Sequence, residues 1–107
     1  MDITIYKLKF SQEAAKDLDN LYEYISVTLS AAKAASDLML EIERKIYMLK
    51  EQPFIGMKCE DTPMLELGYR KLVVKSYVVV YSVVEQLKIV NIVRIFYGGQ
   101  DYAKYIR

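Results

Sequence analysis

From Ile3 to Phe10 the chain alternates, with Ile3, Ile5, Lys7 and Lys9 on one side and Thr4, Tyr6, Leu8 and Phe10 on the other. A period of two predicts a strand over Ile3–Lys9 with one better buried face. Ser11 is placed to cap a helix, Glu13 sits in its first turn near the positive end of the helix dipole, and Ala14, Leu18, Leu21 and Ile25 recur at helical spacing to about Val27. After a short break at Thr28–Ser30, with Ser30 as the next cap, Ala35, Leu38, Ile42, Ile46 and Leu49 form a second apolar stripe that ends near Glu51, before Pro53. Two amphipathic helices joined so closely predict an antiparallel hairpin, and its apolar face needs a sheet to cover it.

That sheet is legible downstream. Pro53–Pro63 holds both prolines and a glycine and reads as an irregular connector. Three β-rich runs follow, Tyr69–Val74, Tyr77–Val84 and Leu87–Tyr97, separated by turns at Lys75-Ser76 and Glu85-Gln86. They predict an antiparallel meander. Gly98-Gly99 ends the last strand, leaving Asp101–Ile106 room for a short terminal helix. The expected architecture is one α+β domain over residues 1–107, a size that buries a single core.

Composition narrows the function classes. With 53% apolar and 27% charged residues the chain has the make-up of an ordered globular protein. The longest apolar stretch, Leu72–Tyr97, is broken by Lys75, Glu85, Lys88 and Arg94, whereas a spanning helix needs about 20 nearly uncharged residues; no membrane partner is expected. The opening residues lack the basic start and apolar run of an export signal. A single cysteine, Cys59, and no histidine leave no internal disulfide and none of the usual zinc-ligand sets. The expectation is a reducing cytoplasm, without metal or cofactor. Charge is uneven: residues 1–68 carry 8 basic against 12 acidic side chains, net −4, and residues 69–107 carry 7 against 2, net +5. A basic C-terminal third points to an anionic partner bound locally.

The ordered set Ala14, Asp17 and Leu18, Tyr24-Ile25, Leu49, Pro53 and Gly56, then Arg70-x-Leu72-x-Val74-x-x-Tyr77-x-Val79-x-Tyr81 and Val90-x-Ile92-x-Arg94-Ile95-x-Tyr97-x-x-x-Asp101 resembles the RelE/ParE superfamily of toxins from bacterial toxin-antitoxin pairs. The likeness spans nearly the whole chain. It implies a helical hairpin packed on a mostly antiparallel four-stranded sheet, a cognate antitoxin that wraps the toxin, and one of two activities. RelE-like members cut messenger RNA in the ribosome; ParE-like members inhibit DNA gyrase without a nuclease site.

The residues favour the second activity. Metal-free RNA cleavage requires a base, an acid and cations around the phosphate. Here Tyr77–Val84 carries no charge, and Gly98-Gly99-Gln100 stands where many relatives show arginines before the matching Asp101. If the chain is a nuclease, Tyr97, Arg70 and Lys71 are its candidate catalytic residues. For target or antitoxin binding the candidates are Arg70, Lys71, Lys75, Tyr97, Gln100, Asp101, Tyr102 and Tyr105, with DNA reached only through the antitoxin. Arg94 is expected in a structural ion pair with Asp17 or Asp101, on one strand face with Val90, Ile92 and Phe96. Tyr77 and Tyr81 are expected in the core.

Overall fold

The computed structural model describes residues 5–28, 32–60 and 66–98. Its elements run β1 (Lys7–Phe10), α1 (Gln12–Thr28), α2 (Ala32–Met48), β2 (Met57–Lys58), β3 (Arg70–Val74), β4 (Tyr77–Val84) and β5 (Ile89–Tyr97). The sheet order is β1-β5-β4-β3-β2, with β1 parallel to β5 and every other pair antiparallel. The α+β class, the hairpin and the meander stand as expected. The proposed Ser30 cap and the terminal helix at Asp101–Ile106 lie outside the described residues.

Ser11 fills the expected capping role. Its Oγ accepts the Ala14 N–H at 2.9 Å and donates to the Val93 carbonyl at 2.7 Å, so one hydroxyl starts α1 and ties it to β5. The helical stripes then bury Ala14, Leu21, Ile42, Ile46 and Leu49 against Leu72, Val74, Val79, Tyr81, Val90 and Ile92 on the sheet. A smaller cluster, Cys59, Val78, Val80 and Phe96, lies apart from this core. Alternation along β4 separates the two: Val79 and Tyr81 belong to the first, Val78 and Val80 to the second.

Two sequence expectations need correction. The sheet has five strands, because Met57 and Lys58 of the supposedly irregular connector pair with Lys71 and Arg70. The reason is a clamp built on Tyr81. Its ring is fully buried and its hydroxyl accepts the Gly56 N–H at 2.9 Å. Arg70 Nη2 donates to the carbonyls of Phe54 at 3.0 Å and Gly56 at 2.8 Å, holding the connector against β3. Gly56 is required by space: a Cβ there would stand 2.5 Å from the Tyr81 hydroxyl and 2.6 Å from the Lys71 carbonyl. The second correction concerns β5. Its pairing with β4 slips between Val80 and Tyr81, opposite Val93, so strict alternation fails. Val90 and Ile92 share the helix-side core with Ile95, whereas Phe96 joins the smaller cluster.

The clamp makes a sharp stability prediction. Gly56→Ala should cost about 1–3 kcal/mol, as overpacking does, and Tyr81→Phe should not rescue it, because the Lys71 backbone carbonyl still blocks the methyl. Tyr81→Phe alone orphans a buried N–H, again about 1–3 kcal/mol; urea unfolding of the three variants checks both statements. Burial pushes the Tyr81 phenol above its ordinary value of 10, against the opposing pull of the Gly56 N–H and of Arg70. The folded chain therefore holds this proton more tightly than the unfolded chain, so the contribution is complete below about pH 10 and is lost as pH rises further. Melts on either side of pH 10 should show a shallower alkaline decline in Tyr81→Phe than in the parent.

Candidate functional site

β1 stops at Phe10, paired with Ile92, while β5 continues to Tyr97. The outer edge of β5 beyond Ile92 would therefore expose unpaired backbone groups. Side chains of α1 and its cap finish that edge. Ser11 N–H reaches the Ile92 carbonyl at 3.0 Å, Ser11 Oγ takes the Val93 carbonyl, and one Asp17 carboxylate oxygen accepts the Ile95 N–H at 2.9 Å. The same carboxylate binds Arg94 in a two-pronged pair, Nε at 2.8 Å and Nη2 at 3.1 Å. Of the two partners expected for Arg94, Asp17 is in place, and Asp101 lies outside the described residues. With side chains only 21% and 14% exposed, this pair is sheltered from solvent, and Arg94 also stacks over the Phe96 ring at 4.7 Å.

Between α1 and this edge opens a cleft of about 610 Å³, lined by Asp17, Asn20, Tyr24, Tyr77, Arg94 and Tyr97 among others. Helical spacing explains the α1 side, since Asp17, Asn20 and Tyr24 fall on one stripe beside buried Leu21. On the sheet side Tyr77 and Tyr97 are directly paired across β4 and β5, and their rings meet edge to face at 5.8 Å. Tyr97 is 55% exposed and forms the rim. Burial, and then the neighbouring phenols of Tyr24 and Tyr97, hold the Tyr77 hydroxyl above its usual value of 10. At neutral pH it is a neutral hydrogen-bonding group rather than a base. Tyr81 is core as expected, and Tyr77 is half-buried, packed against the same core while also forming a wall of the cleft.

The other predicted residues are distributed along the sheet. Arg70 pairs with Tyr81 and Lys71 with Val80 across β3 and β4, whereas Tyr97 pairs with Tyr77. Arg70 and Tyr97 are thus two strands and four residues apart, about 16 Å between backbones at ordinary sheet spacings. Arg70 is occupied by the connector carbonyls and by the Phe54 ring, 5.3 Å away. Lys75 is exposed in the β3–β4 turn, with φ of 54°, beside Ser76 whose carbonyl accepts the Gly98 N–H. It lies at the Tyr97 end of the sheet. Gln100, Asp101, Tyr102 and Tyr105 lie outside the described residues. Among the described residues no three His, Cys, Asp or Glu side chains converge as a metal site. Sequence reading passed over Asn20 as a site residue and used Tyr24 only as a family marker; the available signal was a polar stripe at i, i+3 and i+7 beginning from Asp17, the one acid level with the buried face.

The double role of Asp17 can be separated by substitution. Asp17→Ala takes the carboxylate from both the Arg94 guanidinium and the Ile95 N–H and should cost about 2–4 kcal/mol. Asp17→Asn keeps an acceptor for the N–H and should lose clearly less. Glu41→Gln, which breaks the exposed pair of Arg44 and Glu41 at 3.4 Å, should change stability by no more than about 0.5 kcal/mol. Denaturant midpoints of the three variants test the ranking.

Comparison with known proteins agrees with this architecture. Residues 8–102 match the family model described as ParE toxin of type II toxin-antitoxin system, parDE. Toxin ParE1 of Caulobacter vibrioides is 31% identical over 84 residues, covering 78% of this chain and 83% of that protein. Among solved structures, the chromosomal ParDE TA system from P. aeruginosa superposes with a TM-score of 0.67 at 22% identity, covering 88% of this chain and 97% of that one. The toxin-antitoxin complex RelBE2 from Mycobacterium tuberculosis gives 0.64 at 16% identity, with 90% and 94% covered. The two structures speak for the fold, and the family model and ParE1 speak for descent: the chain belongs to the ParE toxin family of type II toxin-antitoxin systems.

Proposed function

We propose that this toxin acts in the cytoplasm by binding DNA gyrase and blocking it through protein–protein contact, and that a cognate antitoxin neutralises it. The observation that carries the reading is the separation of the groups a nuclease would need. Cleavage without metal asks for an acid, a base and cations on one phosphate. Tyr97 stands about 16 Å from Arg70 by sheet spacing, the nearer arginine, Arg94, is paired with Asp17, and β4 between them carries no charge. Among the described residues, what lines the cleft beside that pair is chiefly Asn20 and three phenol rings, held on the sheet and α1. Exposed aromatics of this kind serve binding interfaces, where they supply apolar area and a polar tip together. The ParE family match supports the same direction.

A supercoiling assay run beside a ribosome-dependent transcript cleavage assay tests the reading. The expected outcome is inhibited supercoiling, relieved by the antitoxin, with transcripts intact. Tyr97→Ala should weaken inhibition by about 2 kcal/mol, roughly thirtyfold, as loss of an interface aromatic does, while Tyr97→Phe keeps the ring and most of the inhibition. Transcript cuts that vanish in Tyr97→Phe would instead assign ribosome-dependent cleavage to the protein.

A further inference from the structure

The lining of the tyrosine cleft is chemically one-sided. Tyr24 of α1 and Tyr77 and Tyr97 of the sheet border the same space of about 610 Å³. The rings of Tyr77 and Tyr97 meet at an interplanar angle of 68°, as two walls of a corner do. Tyr24 and Tyr97 are 59% and 55% exposed, so both offer open ring surface. An aromatic face carries the negative part of the ring quadrupole, and the phenol oxygens and the Asn20 amide oxygen add acceptors beside it.

Charge around the cleft points the same way. The cation in the lining, Arg94, is already paired with Asp17. Helix α1, which forms one wall, holds Glu13, Asp17, Asp19 and Glu23 against Lys16. Asp19 and Glu23 make an exposed stripe directly beside the cleft residues Asn20 and Tyr24. Among the described residues neither of these two acids is in an ion pair. Lys75, on the β3–β4 turn at the Tyr97 end, opposes them with one charge.

Each class of occupant meets this lining differently. An anion would face ring quadrupoles and carboxylates of its own sign. An aliphatic side chain would take phenol tips and an amide from water with nothing to bond them. A cation gains from ring faces, oxygens and rim together. Between the two long cationic side chains the guanidinium fits better, because it is flat and weakly hydrated, stacks on a ring and donates from its edge. An ammonium holds its water, and the carboxylate that would draw it in is occupied by Arg94.

We propose that the tyrosine cleft receives an arginine side chain of DNA gyrase, stacked on the rings of Tyr24 and Tyr97 and hydrogen-bonded through its edge to the phenol and Asn20 oxygens. The inference rests on the gyrase reading above and gives that contact its chemistry. Tyr77 forms the deeper wall, and its neutral phenol supplies an acceptor without adding charge.

Ring electronics separate a cation from an apolar guest. In the supercoiling assay, Tyr24→Phe is followed at the same position by phenylalanines of increasing ring fluorination, which keep the ring's shape and withdraw charge from its face. Inhibition should weaken step by step, by about tenfold over the series, with unfolding midpoints held, since Tyr24 is exposed. A series that stays flat or strengthens would overturn the arginine and leave the gyrase reading standing. A parent chain that does not inhibit supercoiling would overturn both. The free chain gives a measure independent of gyrase: arginine amide at millimolar concentration should shift the Tyr24 and Tyr97 ring signals in NMR spectra, and citrulline amide, of the same length without the charge, should not. Equal shifts with citrulline amide or lysine amide, or none with arginine amide, would overturn the assignment.

Discussion

A strand that ends before its neighbour leaves backbone groups that must find other partners, and in this fold the partner is the carboxylate of Asp17. Its bond to the Ile95 N–H takes the position a longer β1 would have occupied, and it also binds the Arg94 guanidinium that stacks over the phenyl ring of Phe96. Both bonds run from α1 to β5, so the carboxylate also sets how the hairpin sits on the sheet. The cleft exists because of this arrangement. Its floor is the edge Asp17 closes, and its walls are the next turns of α1 and the paired tyrosines of β4 and β5.

A second constraint acts at the opposite side of the sheet, where Tyr81, Gly56 and Arg70 hold the connector in place as β2. Arg70 is a marked position of the family pattern, and its Nη2 is spent on the protein's own backbone. Cations that composition counts toward a basic surface are thus divided between structural work and exposure to solvent. Arg94 and Arg70 hold elements together, whereas Lys7, Lys9 and Lys75 stand exposed. Net charge by itself does not distinguish these uses, because it carries no information on which carboxylate or carbonyl each cation meets.

Periodicity alone determined the elements: the strand at the start, the Ser11 cap, the two apolar stripes of the hairpin and the three strands of the meander are all local patterns, and local patterns survive without knowledge of partners. The ordered residues from Ala14 to Asp101 also determined the family, which the match over residues 8–102 bears out. Only the tertiary structure decided the fifth strand, since Met57 and Lys58 carry no strand signal of their own and pair because distant Tyr81 and Arg70 hold them. Likewise the bulge opposite Val80 and Tyr81 moved Phe96 to another cluster, a one-residue slip that alternation cannot announce because it arises where α1 and β5 must fit together. The Asp17–Arg94 pair and the distance between Arg70 and Tyr97 belong to the same class: both depend on which strands lie side by side, a fact set by packing between segments far apart in the chain.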